Sequence, residues 1–315
     1  MKIPESRYST SRHTGIRRLV IVVAVAIGAG ALVAGIILVV RFRAPIFAIG
    51  QTERPQDAIE LWNAQQYSQV VAVTTDQLAQ YPLDPTALSL RGFSHFYLAM
   101  EEVEGERRDR YLKDSVRDLR RVLLLPDVDL APQIYYILGK ASFQRGEFFY
   151  DTAIEALERA RTLGVERLDL LEYLALASRD VGRVPEAIEY FREAIEVGDE
   201  HVHRVVLADL LIEEQQYDAA NELLRLVVRR SEDSTVVQDA LLSLGASLRI
   251  QERFDEALQV YNDTLDINDS SAEAHYGIGE VYLAQGEPDR ARFEWREAVR
   301  LNPNHIESLQ RLQEY

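Results

Sequence analysis

Cysteine is absent from this 315-residue chain. Its absence excludes disulfide bonds, thiolate metal sites, cysteine nucleophiles and a lipid anchor attached through cysteine. Only six histidines occur, and none stands at metal-ligand spacing from another ligand type. A phosphate-binding loop, a nucleophile elbow and a metalloprotease motif are also missing. The sequence therefore predicts a protein that is not an enzyme and that holds no cofactor and no metal.

Basic residues are scarce relative to acidic ones. The chain contains 35 lysines and arginines against 51 aspartates and glutamates, a net charge of -16. Residues 51–315 hold 28 of the basic and 50 of the acidic residues. Such a charge repels a nucleic-acid backbone and leaves a protein as the expected partner. Hydrophobic residues make up 47% of the sequence, which argues against disorder.

One hydrophobic run stands apart from the rest of the sequence. Residues 19–40 carry no charge and span roughly 33 Å as a helix, enough for a hydrocarbon core of about 30 Å. A cleaved signal peptide is the alternative, but Arg41 and Arg43 follow where its cleavage site needs small neutral residues. We therefore expect a transmembrane helix that is retained. Three small residues at a spacing of four could pack two such helices together, although ordinary membrane-helix composition explains them equally: Ala26, Gly30 and Ala34.

Basic residues flank this run unequally. Five precede it and three follow it: Lys2, Arg7, Arg12, Arg17 and Arg18, then Arg41, Arg43 and Arg54. Positive charge favours the cytoplasmic side, which predicts a cytoplasmic tail at 1–18. A linker at 41–50 and a periplasmic domain at 51–315 of an inner-membrane protein would follow. The reversed orientation, with the domain facing the cytosol, stays open.

The stretch 272–305 contains two helical periods. Residues on one face of a first helix and then of a second are His275, Ile278, Gly279 and Tyr282, followed by Ala291, Trp295 and Ala298. A turn at Gly286 to Pro288 separates the two helices, and Asn302 and Pro303 end the second one. Gly279 and Ala291 are small enough for the helix axes to approach closely. The two helices are therefore expected to fold back on each other.

This pattern resembles the tetratricopeptide repeat, an antiparallel helix pair. The residues at the family's pattern positions are Gly279, Tyr282, Ala291, Ala298 and Pro303. His275, Ile278 and Trp295 stand where the family usually has tryptophan, leucine and an aromatic residue. The resemblance implies a protein-binding array of stacked helix pairs, in which each pair buries its apolar face against its neighbours.

Looser copies of this unit cover the remainder of residues 51–315. We expect units near 51–84, 85–131, 132–167, 168–200, 201–237, 238–271 and 272–305, with a capping helix at 306–315. An insertion in the second unit is expected to lengthen helix ends around Gly105, or alternatively to form a docking knob. Leu309 and Leu312 are expected to cover the last unit. The predicted fold is all-α: a right-handed α-solenoid of about seven pairs plus the cap, preceded by the transmembrane helix.

The resemblance also implies a binding surface. In the family, one face of the first helix of each unit lines a groove that takes a peptide of a partner. The corresponding positions of the second to fourth units hold Phe93, Phe96, Tyr97, Tyr136, Ile137, Phe143, Tyr173 and Leu176. We expect apolar side chains of a partner to bury on this set, unless the rings pack on one another or the insertion covers them. Lys140 is the one lysine of this face, which argues against the family's lysine-containing clamp for a C-terminal carboxylate.

Three functions agree with these observations. The first is a membrane-anchored scaffold whose extracytoplasmic groove binds a peptide segment of an unidentified protein. The second is a structural subunit of a large periplasmic assembly, such as an accessory ring or collar around a flagellar motor, in which the chain forms homo-oligomers or multi-protein assemblies. The third is a cytosol-facing anchored receptor that resembles the tetratricopeptide receptors of mitochondrial import.

Overall fold

A computed structural model describes residues 56–198 and 200–315. The regular structure of these residues is entirely helical, which confirms the all-α prediction for this part of the chain. The α-helices are α1 Gln56–Asn63, α2 Tyr67–Gln80, α3 Pro85–Glu101, α4 Gly105–Val122, α5 Ala131–Gln144, α6 Tyr150–Thr162, α7 Leu168–Asp180, α8 Val184–Gly198, α9 His201–Glu213, α10 Tyr217–Arg230, α11 Ser234–Ile250, α12 Phe254–Ile267, α13 Ala272–Ala284, α14 Pro288–Leu301 and α15 Ile306–Glu314. A short 3-10 turn, Glu147–Phe149, precedes α6. The helices form two compact units, one ending at Arg183 and the other running from Val184 to Tyr315.

The predicted localisation, a single-pass inner-membrane protein with a periplasmic domain, is contradicted. Within residues 56–198 and 200–315, no helix is both long and apolar enough to cross a bilayer. The physical reason is composition: α4, with 18 residues, carries charged side chains on every turn. The predicted tail 1–18, the helix 19–40 and the linker 41–50 lie outside the described residues. So do the three small residues of that helix, Ala26, Gly30 and Ala34.

Glycines in the first compact unit lie where paired helices approach most closely. A Cβ added to Gly92 on α3 would lie 2.6 Å from a methyl group of Leu119 on α4. A Cβ on Gly139 of α5 would lie 2.5 Å from Leu157 on α6. Both leucines are fully buried. Each pair is therefore held by a large side chain that fills the space left by a glycine.

The inserted segment of the second repeat, residues 85–131, consists of lengthened helix ends. Helix α3 continues for 17 residues to Glu101, and α4 begins at Gly105 after a three-residue connection. Asp84 starts α3 by accepting a hydrogen bond from the backbone N–H of Ala87 at 2.7 Å. The extra turns join the two helices without a separate knob. The insertion thus extends the helix pair itself.

In the second compact unit, one tyrosine ring lies against two glycines. Tyr261 on α12 is 3% exposed, and its ring meets Gly245 on α11 and Gly277 on α13. In the last pair, a Cβ on Gly279 would lie 2.5 Å from the indole nitrogen of Trp295, and 3.2 Å from the carbonyl oxygen of Ala291. The close approach predicted at Gly279 and Ala291 is confirmed.

Helix α11 and the terminal helix α15 begin and pack as follows. Asp233 accepts hydrogen bonds from the backbone N–H groups of Thr235 and Val236, which starts α11 at Ser234. In α15 the residue buried beneath the helix is Ser308, whereas Leu309 is 37% exposed. Leu312, the other leucine expected to cover the last repeat, is half-buried. Arg311 adds polar contacts by donating to Glu280 of α13.

Candidate functional site

The residues predicted to line a peptide groove lie on α3, α5 and α7, within the first compact unit, and we call the set the aromatic layer. Six of them are at most 8% exposed: Phe93, Phe96, Tyr136, Ile137, Tyr173 and Leu176. Tyr97 and Phe143 are partly exposed. Most of the predicted groove therefore packs on itself and forms a solid layer. Two rings of the set reach the surface of that layer.

The rings at the α3 end pack against the first helix pair. Tyr97 stacks on Tyr67 of α2 with ring centres 5.0 Å apart. Trp62 of α1 contacts Tyr97 at 5.7 Å and Phe93 at 5.9 Å. Burial, with the neighbouring Tyr97, raises the pKa of Tyr67 to about 12. The Tyr67 hydroxyl therefore stays protonated far above physiological pH.

Lys140 lies beneath the rings at the centre of the layer. Its ammonium group donates to the carboxylate of Asp169 at 2.8 Å and to the hydroxyl of Tyr136 at 3.2 Å. The same nitrogen lies 5.0 Å from the ring centres of Tyr136 and Tyr173 and 5.7 Å from that of Phe96. An ammonium group over aromatic faces is stabilised by the ring quadrupoles, and more so when it is desolvated. The buried lysine is thus caged by three rings and one carboxylate.

A second cation completes this network. Arg167 donates to the Tyr136 hydroxyl at 3.1 Å and to Asp169 at 3.2 Å, and the Tyr136 hydroxyl itself donates to Asp169. On the opposite side, Gln144 donates to the Tyr173 hydroxyl at 3.3 Å. Helices α5 and α7 are therefore joined by hydrogen bonds as well as by ring contacts. We call Lys140, Asp169, Tyr136 and Arg167 the lysine cluster.

Charge in the lysine cluster is held by mutual attraction rather than by water. Burial alone would lower the pKa of Lys140, but Asp169 and the neighbouring tyrosines raise it well above its ordinary value. Burial alone would raise the pKa of Asp169, but Lys140 and Arg167 lower it. Lys140 and Asp169 are consequently both charged across the physiological pH range. The Lys140 ammonium is already bound to a carboxylate, so it does not offer its charge to a partner's C-terminus.

Sequence reasoning found Lys140 but missed its partners. Asp169 follows it by 29 residues, on the first helix of the next unit. A signal was available, since Lys140 and Asp169 both occupy groove positions of consecutive units. The sequence contains no local pattern that pairs Arg167 with Tyr136. Their contact depends on how α5 and α7 pack.

An ion pair links two helices of the second compact unit. Arg311 on α15 binds the carboxylate of Glu280 on α13 through two nitrogens, each at 2.8 Å. This paired arrangement is the strongest geometry for an arginine and a carboxylate. It raises the pKa of Arg311, chiefly through the hydrogen bond to Glu280. The pair joins the last helix to the preceding unit.

Asp239 on α11 lies in an unfavourable environment. Burial, together with the nearby carboxylates of Asp233 and Glu273, raises its pKa to about 6. Because the folded-state pKa is raised above the unfolded value, the ionised carboxylate opposes folding above pH 6. As the pH falls from 6 towards 4, the folded chain takes up a proton that the unfolded chain does not, and stability is regained.

We therefore expect Asp239→Asn to stabilise the protein at pH 7.5 by about 1–2 kcal/mol, allowing for solvent screening of this partly exposed group. The gain over the unsubstituted chain should shrink steadily between pH 6 and pH 4. Urea unfolding of both proteins at four pH values across this range measures the difference. A gain that is the same at pH 4 and pH 7.5 would contradict the assignment.

Family models match two parts of the chain. Residues 149–200, 245–286 and 272–305 each match a model of the tetratricopeptide repeat. The chain contains tetratricopeptide repeats. The matched segments include the Gly245, Tyr261 and Gly279 contacts described above. They leave out α3 and α5, whereas α7, which carries Tyr173 and Leu176, lies inside the match at 149–200.

Relatives agree with this assignment. A TPR repeat-containing protein of Methanocaldococcus jannaschii is 23% identical over 172 residues, which is 53% of this chain and 29% of that protein. The chain thus spans less than a third of the length of this relative. The C-terminal part of a TPR repeat-containing protein from Cytophaga hutchinsonii has a similar fold, with a TM-score of 0.61 and 15% identity over 82% of this chain and 99% of that one. The structure of MamA covers 57% of this chain and 96% of its own length at 21% identity, with a TM-score of 0.48.

Proposed function

We propose that this protein is a protein–protein interaction scaffold. In this proposal the aromatic layer of its first compact unit binds a peptide segment of a partner. The observation that carries the proposal is that Tyr97 and Phe143 are partly exposed above a buried base. Tetratricopeptide arrays typically serve protein interaction rather than catalysis. The function of this chain is accordingly sought in its surfaces. Self-association, also expected from the sequence, stays a prediction.

The buried residues of the aromatic layer support its two partly exposed rings, Tyr97 and Phe143. Phe143 lies against Tyr173 in an edge-to-face arrangement with ring centres 5.0 Å apart, and against Tyr150 at 5.2 Å. Tyr97 is held by Tyr67 and Trp62 on one side and by Phe96, at 5.5 Å, on the other. Aromatic side chains that are already immobilised lose little entropy on binding. They can therefore bury apolar side chains of a partner at low cost.

The proposed ligand is an apolar peptide segment rather than a free carboxyl terminus. The reason is the lysine cluster, in which Asp169 already neutralises Lys140 at 2.8 Å. Polar groups at the rim can align the peptide backbone, while the rings contact its side chains. Six of the eight predicted residues then act as the supporting layer, and the binding contacts fall to Tyr97 and Phe143.

The test places a photo-crosslinking phenylalanine analogue at position 143 or 97 in cells that express the full-length chain. A partner should be crosslinked at both positions. The matched control is position 293, because Phe293 on α14 is an aromatic residue that is 60% exposed in the other unit. The purified partner should bind the Tyr97→Ser and Phe143→Ser variants at least tenfold more weakly, with unchanged circular dichroism. Equal crosslinking at position 293, or unchanged affinity, would overturn the proposal.

A further inference from the structure

The lengthened helix ends of the second repeat place charged side chains beside the aromatic layer. This insertion, residues 99–114, contains the end of α3 at Glu101 and the start of α4 at Gly105. Glu101 follows Tyr97 by four residues, so the two side chains lie on the same face of α3. Arg108 lies in the first turn of α4. Neither charge takes part in the binding of apolar side chains described above.

Glu101 borders the layer on the side of α2. Tyr67 of α2 stacks on Tyr97, and its pKa is raised by burial, by Tyr97 and by the carboxylate of Glu101. Glu101 is exposed, and no cation of residues 56–198 and 200–315 forms an ion pair with it. A basic side chain of a partner would therefore meet an unpaired carboxylate next to aromatic rings, and both attract a cation.

Arg108 borders the layer on the side of α5. One amino group of its guanidinium donates to the side-chain oxygen of Gln144 at 2.5 Å, and Gln144 donates to the Tyr173 hydroxyl at 3.3 Å. The ring of Tyr173 contacts that of Phe143 at 5.0 Å. Within the part of the chain that the structure describes, the other amino group of Arg108 is neither buried nor hydrogen-bonded, and no carboxylate pairs with it. Arg108 thus offers N–H donors close to the partly exposed Phe143.

Most other charges of the insertion neutralise one another. Arg107 binds Glu102 at 3.2 Å and Glu104 at 3.1 Å. Lys113 binds Asp109 at 2.6 Å. These three carboxylates are consequently not available to Arg108.

Two charges of the insertion, Glu106 and Arg110, are exposed and lack an ion pair among the described residues. Each is two residues from Arg108 along α4, which places it about 200° around the helix. Both therefore lie on the face of α4 that is turned away from Arg108. They provide charges of the same kind as Glu101 and Arg108 on the same insertion, and so serve as matched controls.

We propose that the insertion makes the aromatic layer selective for a dipolar segment, with a basic residue at the Tyr97 side, apolar residues over the rings and an acidic residue at the Phe143 side. This selectivity rests on the proposed function, because it describes the segment that the layer binds. Glu101 pairs with the basic residue, and the available amino group of Arg108 binds the carboxylate of the acidic one. Since both charges are accessible to water, each pair changes the affinity by about two- to fivefold. The apolar contacts supply most of the affinity, and the charges supply the selectivity.

The aromatic layer has the length of a short extended segment. Its groups follow one another at 5.5, 5.7, 5.0 and 5.0 Å, from Tyr97 through Phe96, Lys140 and Tyr173 to Phe143. An extended chain advances about 3.3 Å per residue, so roughly six residues cover this path. The two charged residues of the ligand are therefore expected near the ends of a segment of this length.

The test selects peptides on the purified full-length chain from a displayed octapeptide library with apolar central positions and random outer positions. Selected peptides should carry a basic residue at one end and an acidic residue at the other. The variant Arg108→Glu presents two carboxylates and should select peptides that are basic at both ends. Glu101→Lys should select peptides that are acidic at both ends. The controls Arg110→Glu and Glu106→Lys should select the same dipolar peptides as the unsubstituted chain.

Affinity measurements on the selected dipolar peptides complete the test. Arg108→Gln should weaken their binding about two- to fivefold, and Arg110→Gln should not. Acidic ends that persist with Arg108→Glu, or an equal change with Arg110→Glu, would overturn the inference. Peptides that lose binding with Tyr97→Ser and Phe143→Ser but have no charged ends would overturn it alone. Peptides that bind these two serine variants at full strength would overturn the proposed function, and the selectivity with it.

Discussion

Replacing Asp169 with alanine is expected to destabilise the first unit by about 3–5 kcal/mol, because it leaves a buried ammonium without its counter-ion. The side chain of Lys140 is 8% exposed, and its nitrogen lies 2.8 Å from Asp169. The Tyr136 hydroxyl and the three rings remain after the substitution, but none of them carries a full negative charge. Urea unfolding followed by circular dichroism measures the loss.

The loss should depend on pH in a defined direction. The folded-state pKa of Asp169 lies below its ordinary value, so its contribution is complete above about pH 4. It fades as the pH falls through the folded-state pKa, where the carboxylate of the unsubstituted protein is protonated. The difference between Asp169→Ala and the unsubstituted chain is therefore expected to be constant from pH 5 to pH 8. A difference that already shrinks at pH 6 would contradict this account.

Two controls identify the cause as an unpaired buried charge. The double substitution Lys140→Met with Asp169→Leu removes both charges, and it should recover most of the lost stability, since a buried ion pair can often be replaced by apolar residues. Asp151→Ala removes the partner of Arg183 from a pair in which the side chains are 73% and 48% exposed. That exposed pair should contribute less than about 1 kcal/mol. Equal losses for Asp151→Ala and Asp169→Ala would refute the role of burial.

The helix pairs could be predicted because their determinants are local. Gly279, Ala291 and Trp295 predict a close helix approach within one stretch of sequence. In the structure these three residues lie where α13 and α14 approach each other closely. Turn residues and prolines give the helix ends in the same way. At α11 the cap is Asp233, which precedes the periodic residues. The localisation prediction rested on residues 19–40 alone, and no property of the described helices supports it.

The candidate site could be predicted only in part. Register correctly put Phe96, Tyr136 and Tyr173 on the first helices of their units, but exposure is decided by how neighbouring helices pack. The ammonium of Lys140 lies among the rings of this layer, and its pairing with Asp169 spans 29 residues of sequence, so no local pattern indicates it.

Substitution of Gly277 by alanine is expected to produce the second large effect, a loss of about 3 kcal/mol, at the upper end of the range for overpacking. The added Cβ would lie 2.4 Å from two atoms of the Tyr261 ring. The ring also lies close to Gly245 of α11, where an added Cβ would be 2.7 Å away, so it has little free space to move into. Tyr261 is 3% exposed, so movement towards solvent would also uncover the interface of α11, α12 and α13.

A matched glycine and a compensating variant complete the test. Gly105→Ala, at the start of α4, has no atom within 4 Å of the added Cβ and should leave stability unchanged or slightly raised. Tyr261→Leu makes room for the methyl group, so Gly277→Ala should cost markedly less in that background than in the unsubstituted chain. Urea unfolding of the four variants gives the coupling energy directly. Additive losses for Gly277→Ala and Tyr261→Leu would show that the ring and the glycine do not restrain each other. A coupling that offsets part of the Gly277→Ala loss would show that the Tyr261 ring, which also lies close to Gly245, restrains the approach of α12 and α13 at Gly277.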